Sequence, residues 1–191
     1  MVDPDVELVQ QARAGNQEAF GKLAGKYYEM VFAVAFGVLH HREMARDVAQ
    51  EVFMKAQREI SRFEGKSKFK TWIYRITVNA SIDEQRRKKP SQSLDATDAS
   101  DDEDEKPVII TDSSAGPREK AEHEELKKMV AAAIEKLSPD HRAVLVLREW
   151  QDLSYDEIAE TLGLELGTVM SRLFYARKKL AEVLSGKLEV K

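Results

Sequence analysis

The segment that most constrains the fold of this chain is residues 154–180, which predict two short helices joined by a tight turn. Ser154 can cap the first helix, and Glu157 three residues later completes a capping box. Gly163 stands where the chain must turn, because glycine reaches positive φ without a Cβ penalty. The second helix carries an apolar stripe at i, i+4, i+7 and i+11, formed by Val169, Leu173, Ala176 and Leu180.

This second helix is strongly basic outside its apolar stripe. No acidic residue occurs between Thr168 and Leu180. Such a pair of helices is typical of a helix-turn-helix whose second helix enters a DNA groove. The segment therefore predicts nucleic-acid binding.

The charge of the chain is unevenly distributed. The whole chain carries −4, but residues 1–90 carry +4, residues 91–125 carry −9 and residues 126–191 carry +1. The acidity lies in the middle, and the parts with helical patterns are neutral to basic. This asymmetry favours a nucleic-acid partner and an acidic connector.

Composition excludes several classes of protein. The chain has no cysteine, which excludes disulfides, thiolate metal sites and a thiol redox sensor. No apolar run is long enough to predict membrane insertion, and the acidic, polar N-terminus does not resemble a signal peptide. We therefore expect a cytoplasmic protein of 191 residues, enough for one or two small domains.

Apolar periodicity predicts an all-α fold with two small helical domains. In residues 1–90 we expect helices over residues 17–39 after an Asn16 cap, over 42–63, and from Phe69 to just before Pro90. In residues 118–191 we expect a helix over 118–137, a second over 139–149 started by Ser138 and Pro139, and then the helix-turn-helix. Residues 91–117 are rich in Asp, Ser and Thr, and are predicted to be a flexible, disordered acidic linker.

The third helix of the first domain is a second basic element. Residues 62–89 carry +6, and Arg75, Asn79 and Arg86 share one helical face. Lysines and aromatic residues in the preceding loop suit unstacked bases. Cations at a helix C-terminus can instead simply favour the dipole, and Trp72 at helical spacing is more often a core residue.

The middle helix of this domain presents a polar patch. Asp47, Gln50 and Glu51 lie at i, i+3 and i+4, on one outward face. On spacing alone this patch is an ordinary solvated surface.

Two segments in this order resemble the extracytoplasmic-function (ECF) sigma factors, the smallest bacterial sigma factors. They are DVAQEVFMKAQREISRFEGKSKFKTWIYRITVNASIDEQRRKK, residues 47–89, and LSPDHRAVLVLREWQDLSYDEIAETLGLELGTVMSRLFYARKKL, residues 137–180. The resemblance implies a sigma region 2 helical bundle in residues 1–90 and a region 4 helix-turn-helix in residues 118–191. It implies binding to core RNA polymerase, at the β′ clamp coiled coil and the β flap, and recognition and melting of promoter DNA.

The resemblance assigns roles to individual residues. It implies that core polymerase is bound by Asp47, Gln50, Glu51 and Phe53. Recognition and opening of the −10 element falls to Lys66, Lys68, Phe69, Lys70, Trp72, Arg75, Asn79, Arg86 and Arg87, with Asn79 at the position associated with strand opening. Reading of the −35 element falls to Thr168, Met170, Ser171, Arg172, Phe174, Tyr175, Arg177, Lys178 and Lys179, of which the four cations suit phosphates.

The chain departs from its relatives on the −35 helix. Met170 and Tyr175 stand where relatives often carry arginine. Arginine reads guanine bidentately and Met and Tyr cannot. The −35 sequence therefore cannot be transferred from a relative.

The resemblance further implies an anti-sigma partner, a monomeric free protein, and no cofactor or metal. The residues leave two other classes of function open. A stand-alone helix-turn-helix regulator would normally dimerise, and no dimer heptad is evident. An enzyme could use His40, His41 and Glu43 as metal ligands, but adjacent histidines point to different helix faces.

The linker is either an RNA mimic, an inhibitor of free DNA binding, or a plain solubilising connector.

Overall fold

The computed structural model describes residues 4–88 and 128–188, and both parts are helical. The first part contains α1 (Val6–Arg13), α2 (Gln17–Leu39), α3 (Arg42–Glu59) with a 3-10 turn (Ile60–Arg62), and α4 (Phe69–Lys88). The second part contains α5 over residues 128–135, α6 (Pro139–Glu149), α7 (Tyr155–Leu162) and α8 (Leu166–Leu188). No strand occurs in these two ranges, so the predicted all-α class is confirmed.

The predicted linker and the N-terminal part of the predicted 118–137 helix lie outside the described residues. Within the described ranges, no helix combines the length and apolar character needed to cross a bilayer.

Local capping explains where the helices begin. Asn16 accepts a hydrogen bond from the Ala19 amide at 3.1 Å, which starts α2 where the sequence predicted. Ser138 caps α6 by accepting from the His141 amide at 3.3 Å, with Pro139 at the first position. The predicted 42–63 helix is shorter than expected, since α3 ends at Glu59 and its last turn tightens into a 3-10 turn.

Helix α1 was not predicted as a separate element. Val9 and Ala12 are buried on its inner face. Asp5, at its N-terminus, is 1% exposed and accepts hydrogen bonds from Lys26 and Tyr27 of α2. A buried carboxylate needs such partners, and these bonds attach α1 to the bundle.

The core of the first part lies among α1–α4. Its fully buried members include Leu23 and Val31 of α2, Val52 of α3, and Phe69 and Ile73 of α4. Truncating Leu23 or Phe69 to alanine should cost about 2–5 kcal/mol.

A second core joins the two parts of the chain, and the sequence did not predict it. Val34 and Val38 of α2 and Tyr74 and Val78 of α4 contribute from the first part. They pack in one buried cluster with residues of the second part, which include Val144 and Leu147 of α6, Ile158 of α7 and Leu173 of α8. The two parts therefore contact each other directly in this structure.

Candidate nucleic-acid interfaces

The helix-turn-helix has the local geometry that the sequence predicted. The Ser154 hydroxyl accepts from the Glu157 amide at 3.2 Å, and the Glu157 carboxylate accepts from the Ser154 amide at 2.8 Å. The Ser154 amide and hydroxyl both donate to the Glu157 carboxylate, and these two hydrogen bonds lower the pKa of that carboxyl. Gly163 ends α7 at φ 65°, which confirms the left-handed turn.

Two of the cations predicted to contact phosphates hold α8 against α6. Arg172 forms an ion pair with Asp140 at 3.1 Å. Arg177 pairs with Glu149 at 2.6 Å, and the hydrogen bonds to this carboxylate raise the pKa of Arg177. Lys178 is exposed, so it remains available for a phosphate.

The outward side of α8 at its N-terminal end is mostly apolar. Val169 and Leu173 face the core. Met170, Phe174 and Tyr175 are more than half exposed, and the Phe174 and Tyr175 rings lie 5.5 Å apart. Ser171 is exposed beside them and Thr168 is half-buried, and the Ser171 hydroxyl donates to the Thr168 carbonyl at 3.0 Å. Met170, Ser171, Phe174 and Tyr175 therefore lie on the exposed side of α8, and Lys179 is exposed as well.

The predicted −10 residues divide into an exposed set and a core set. The exposed residues are Lys66, Lys68, Lys70, Arg75, Asn79, Arg86 and Arg87. Phe69 is fully buried, with its ring 5.5 Å from Tyr27 and 5.6 Å from Trp72. Trp72 is half-buried and packs against the same core. The structure therefore gives Phe69 a packing role, and a base could not stack on its ring in this conformation.

Asn79 lines a groove of about 560 Å³ between α3 and α4. Glu51 of α3 lies across this groove from Arg87 of α4, and their charged atoms are 3.9 Å apart. Arg87 also pairs with Glu84 at 2.7 Å. A residue predicted to bind polymerase and a residue predicted to bind DNA therefore share one groove.

The predicted polymerase-binding patch on α3 faces outward. Asp47, Gln50 and Glu51 are exposed and Phe53 is half-buried. Gln50 and Phe53 line an apolar groove of about 500 Å³ between α2 and α3. The groove also contains two exposed apolar side chains that sequence reasoning missed, Tyr28 and Met54. Tyr28 stacks on Phe53 with a centroid distance of 6.3 Å.

Arginines cross between the two parts of the chain in both directions. Arg75 of α4 donates to the Glu160 and Thr161 carbonyls in the last turn of α7, at 2.6 and 2.8 Å. Arg142 of α6, 2% exposed, donates to the Val38 carbonyl in the last turn of α2. A cation at a helix C-terminus is favoured by the unpaired carbonyls and the dipole. Each part therefore caps a helix of the other.

Two further polar contacts join the parts. The Tyr74 hydroxyl donates to Gln151 at 2.9 Å, and burial raises the pKa of Tyr74. Asp140, which pairs with Arg172, lies 4.0 Å from Arg86. Sequence signals for this interface existed: Arg142 precedes the apolar run AVLVL, and Gly37 lies within an apolar helix.

His40 and His41 have structural roles at the junction of α2 and α3. His41 caps α3 by accepting from the Met44 amide at 3.3 Å. His40 ends α2 at φ 52°, and its burial, together with the charge of Arg142, lowers its pKa to about 4. Within residues 4–88 and 128–188, no group of three or more His, Asp or Glu side chains could hold a metal ion.

Comparison with known proteins assigns the chain to one family. Residues 23–90 match sigma-70 region 2, and residues 127–180 match sigma-70 region 4. Among curated relatives, the RNA polymerase sigma-H factor of Pseudomonas aeruginosa is 34% identical over 95% of this chain and 94% of its own length. The ECF RNA polymerase sigma-E factor of Escherichia coli (strain K12) is 36% identical over 92% of both chains.

Solved structures agree with this result. The complex of CnrH with the cytosolic domain of CnrY contains a chain 27% identical to this one, with a TM-score of 0.68. The match covers 95% of this chain and 97% of that chain. The sigma factor RpoE of Bartonella quintana, solved with the anti-sigma factor NepR, shares the fold with a TM-score of 0.65. These comparisons favour a sigma factor over a stand-alone regulator, and the chain belongs to the extracytoplasmic-function sigma factors of RNA polymerase, which are transcription initiation factors.

Proposed function

We propose that this sigma factor binds core RNA polymerase through α3, opens the −10 element with α4 and its preceding loop, and reads the −35 element with α8. The observation that best supports this proposal is the separation of charge on the surface. Helices α4 and α8 each carry more cations than acids, whereas α3 carries equal numbers of both and its exposed patch presents the carboxylates Asp47 and Glu51. Basic surfaces suit the DNA backbone, and the acidic patch suits a protein partner.

The surface proposed for core polymerase combines this patch with the neighbouring groove. Asp47, Gln50 and Glu51 provide polar contacts along α3. The groove beside them provides apolar area from Tyr28 and Met54. Protein interfaces commonly join an apolar centre to a polar rim, and the clamp coiled coil is the partner that the resemblance implies.

The surface proposed for the −10 element is the loop over residues 63–68 together with α4. Lys66, Lys68 and Lys70 would contact the backbone, and Asn79 would contact an opened base. Capturing an unstacked base costs a few kcal/mol, which the cations and the attached polymerase would offset. Sequence and position support Arg75 for the same surface, once it has left its contacts with α7.

The proposal extends to partners and location. CnrH is described in complex with CnrY, and RpoE of B. quintana with an anti-sigma factor. We propose an anti-sigma partner for this chain too, together with a monomeric free state and action in the cytoplasm beside RNA polymerase. The chain itself would form or break no covalent bond, because the polymerase catalyses RNA synthesis.

The proposal can be tested by in vitro transcription with core polymerase on genomic fragments. We expect promoter-dependent initiation only when the protein is present. Glu51→Lys should weaken holoenzyme formation, measured by fluorescence anisotropy, because it reverses a charge in the α3 patch. Glu29→Lys is the matched control, an exposed carboxylate on α2 outside both grooves. The proposal would be contradicted if no genomic fragment supported initiation. It would also be contradicted if the two variants weakened holoenzyme formation equally.

A further inference from the structure

The N-terminal half of α8 exposes more apolar surface than a solvated helix face needs. Phe174 is 62%, Tyr175 58% and Met170 53% exposed, although the inner stripe of the helix is already buried. An outward helix face normally carries polar residues. These three side chains therefore need an explanation outside the fold of the chain.

The centre of the same face carries small residues. Ser171 lies between Met170 and Phe174 on one side and Tyr175 on the other, and Gly167 lies one turn before Ser171. A Cβ added at Gly167 would meet no atom within 4 Å. Packing within the chain therefore does not require glycine there, whereas a partner that approaches the helix closely would benefit from it.

The charge around this face suits a polyanion. Residues 168–180 contain four cations and no acid. Arg172 and Arg177 pair with Asp140 and Glu149 of α6, whereas Lys178 and Lys179 are exposed. An apolar surface with a cationic border fits the major groove of DNA, where phosphates flank the base edges. The apolar group that base pairs present there is the thymine C5-methyl group.

We propose that Met170 and Phe174 read thymine methyl groups in the upstream promoter element. The inference rests on the proposed placement of α8 at the −35 element. Neither side chain can donate a hydrogen bond to guanine. Arg172 and Arg177, which could donate, are paired with Asp140 and Glu149. Ser171 and Gly167 allow the helix to come close enough for these contacts.

The test uses the full-length chain bound to core polymerase. A promoter duplex library randomised over the upstream element is selected for binding, and each thymine of the selected duplex is then replaced by uracil, which lacks the methyl group. We expect at least one thymine whose replacement weakens binding about fourfold, the effect of one buried methylene-sized group. Met170→Ala or Phe174→Ala should remove the difference between thymine and uracil at its own position.

Lys178→Ala is the control, since losing a phosphate contact should weaken both duplexes equally and reduce the salt dependence. Because Met170 and Phe174 are exposed, their alanine variants should keep the wild-type unfolding temperature. Equal binding of thymine and uracil duplexes at every position would overturn the inference. So would Met170→Ala and Phe174→Ala variants that both bind polymerase and keep the full thymine preference at every position. Failure to select any duplex with polymerase would instead count against the proposed function.

Discussion

Gly37 of α2 is buried against the second part of the chain and leaves no room for a side chain. A Cβ built on Gly37 would lie 2.7 Å from a ring carbon of Trp150 and 2.7 Å from a methyl group of Val146. Nonbonded carbons are normally about 3.5–4.0 Å apart. Gly37→Ala should therefore push α6 away from α2.

The magnitude follows from two opposing effects. Overpacking a well-packed site costs about 1–3 kcal/mol. Alanine also favours the helix over glycine by up to about 1 kcal/mol, but this gain is the same whether the two parts are in contact or apart. The contact between the parts should therefore weaken by the full overpacking cost, which increases the separated population about 5-fold to 150-fold.

The assay can use the absence of cysteine. Two introduced cysteines, Lys22→Cys on α2 and Glu182→Cys on α8, carry a donor and an acceptor for fluorescence energy transfer. Gly37→Ala should lower the transfer efficiency in the folded chain. Gly21→Ala is the matched control, because it lies on the same helix and its Cβ would meet no atom within 4 Å.

The two variants should also differ in unfolding. Gly21→Ala gains helix propensity alone and should raise the stability of the first part by up to about 1 kcal/mol. Gly37→Ala gains the same helix propensity at most, and it weakens the contact between α2 and the second part of the chain. If the two variants have equal energy transfer and equal urea midpoints, the interface described at Gly37 does not govern the conformation of the chain.

Other variants test single features. Ser154→Ala should destabilise the second part by about 1 kcal/mol in urea unfolding, because it removes the cap of α7. Gly163→Ala should cost about 1–2 kcal/mol, because its φ is left-handed. The pKa of His40 falls from 6.5 to about 4 on folding, so the unfolded state binds the proton first. The uncharged form of His40 therefore contributes up to about 3 kcal/mol to the free energy of unfolding. This contribution should be complete above pH 6.5 and should be lost as the pH falls toward 4. His40→Asn, which tolerates the left-handed φ, should flatten this pH dependence of the urea midpoint.

Much of the fold was predictable because its signals are local. The Asn16 and Ser138 caps, the capping box at Ser154 and the turn at Gly163 each depend on residues within three positions of one another. Their bounds agree with the structure for that reason. Helix α1 was missed because its attachment depends on Asp5, whose partners Lys26 and Tyr27 are 21 and 22 residues away.

The charge of the candidate site could be predicted from the sequence, but the contacts of its charged side chains could not. The basic character of α4 and α8 is visible in the sequence. Which cations are already paired is not visible, because Arg172, Arg177 and Arg75 find their partners on other helices. The burial of Phe69 agrees with its spacing, because Phe69, Ile73 and Ile76 recur on one helical face and all three are buried. It was the resemblance that had placed Phe69 on the DNA surface.

The contact between the two parts has a consequence for promoter binding. The DNA contact proposed for Arg75 requires this side chain to leave the carbonyls of Glu160 and Thr161, to which it donates here. If only the separated form binds promoter, the apparent dissociation constant equals the intrinsic one divided by the separated fraction. Gly37→Ala should then tighten holoenzyme binding to a promoter duplex by as much as it increases that fraction, up to the point where most molecules are separated. Gly21→Ala should leave the affinity unchanged. Equal promoter affinities for both variants, despite a difference in energy transfer, would mean that core polymerase alone opens the contact completely.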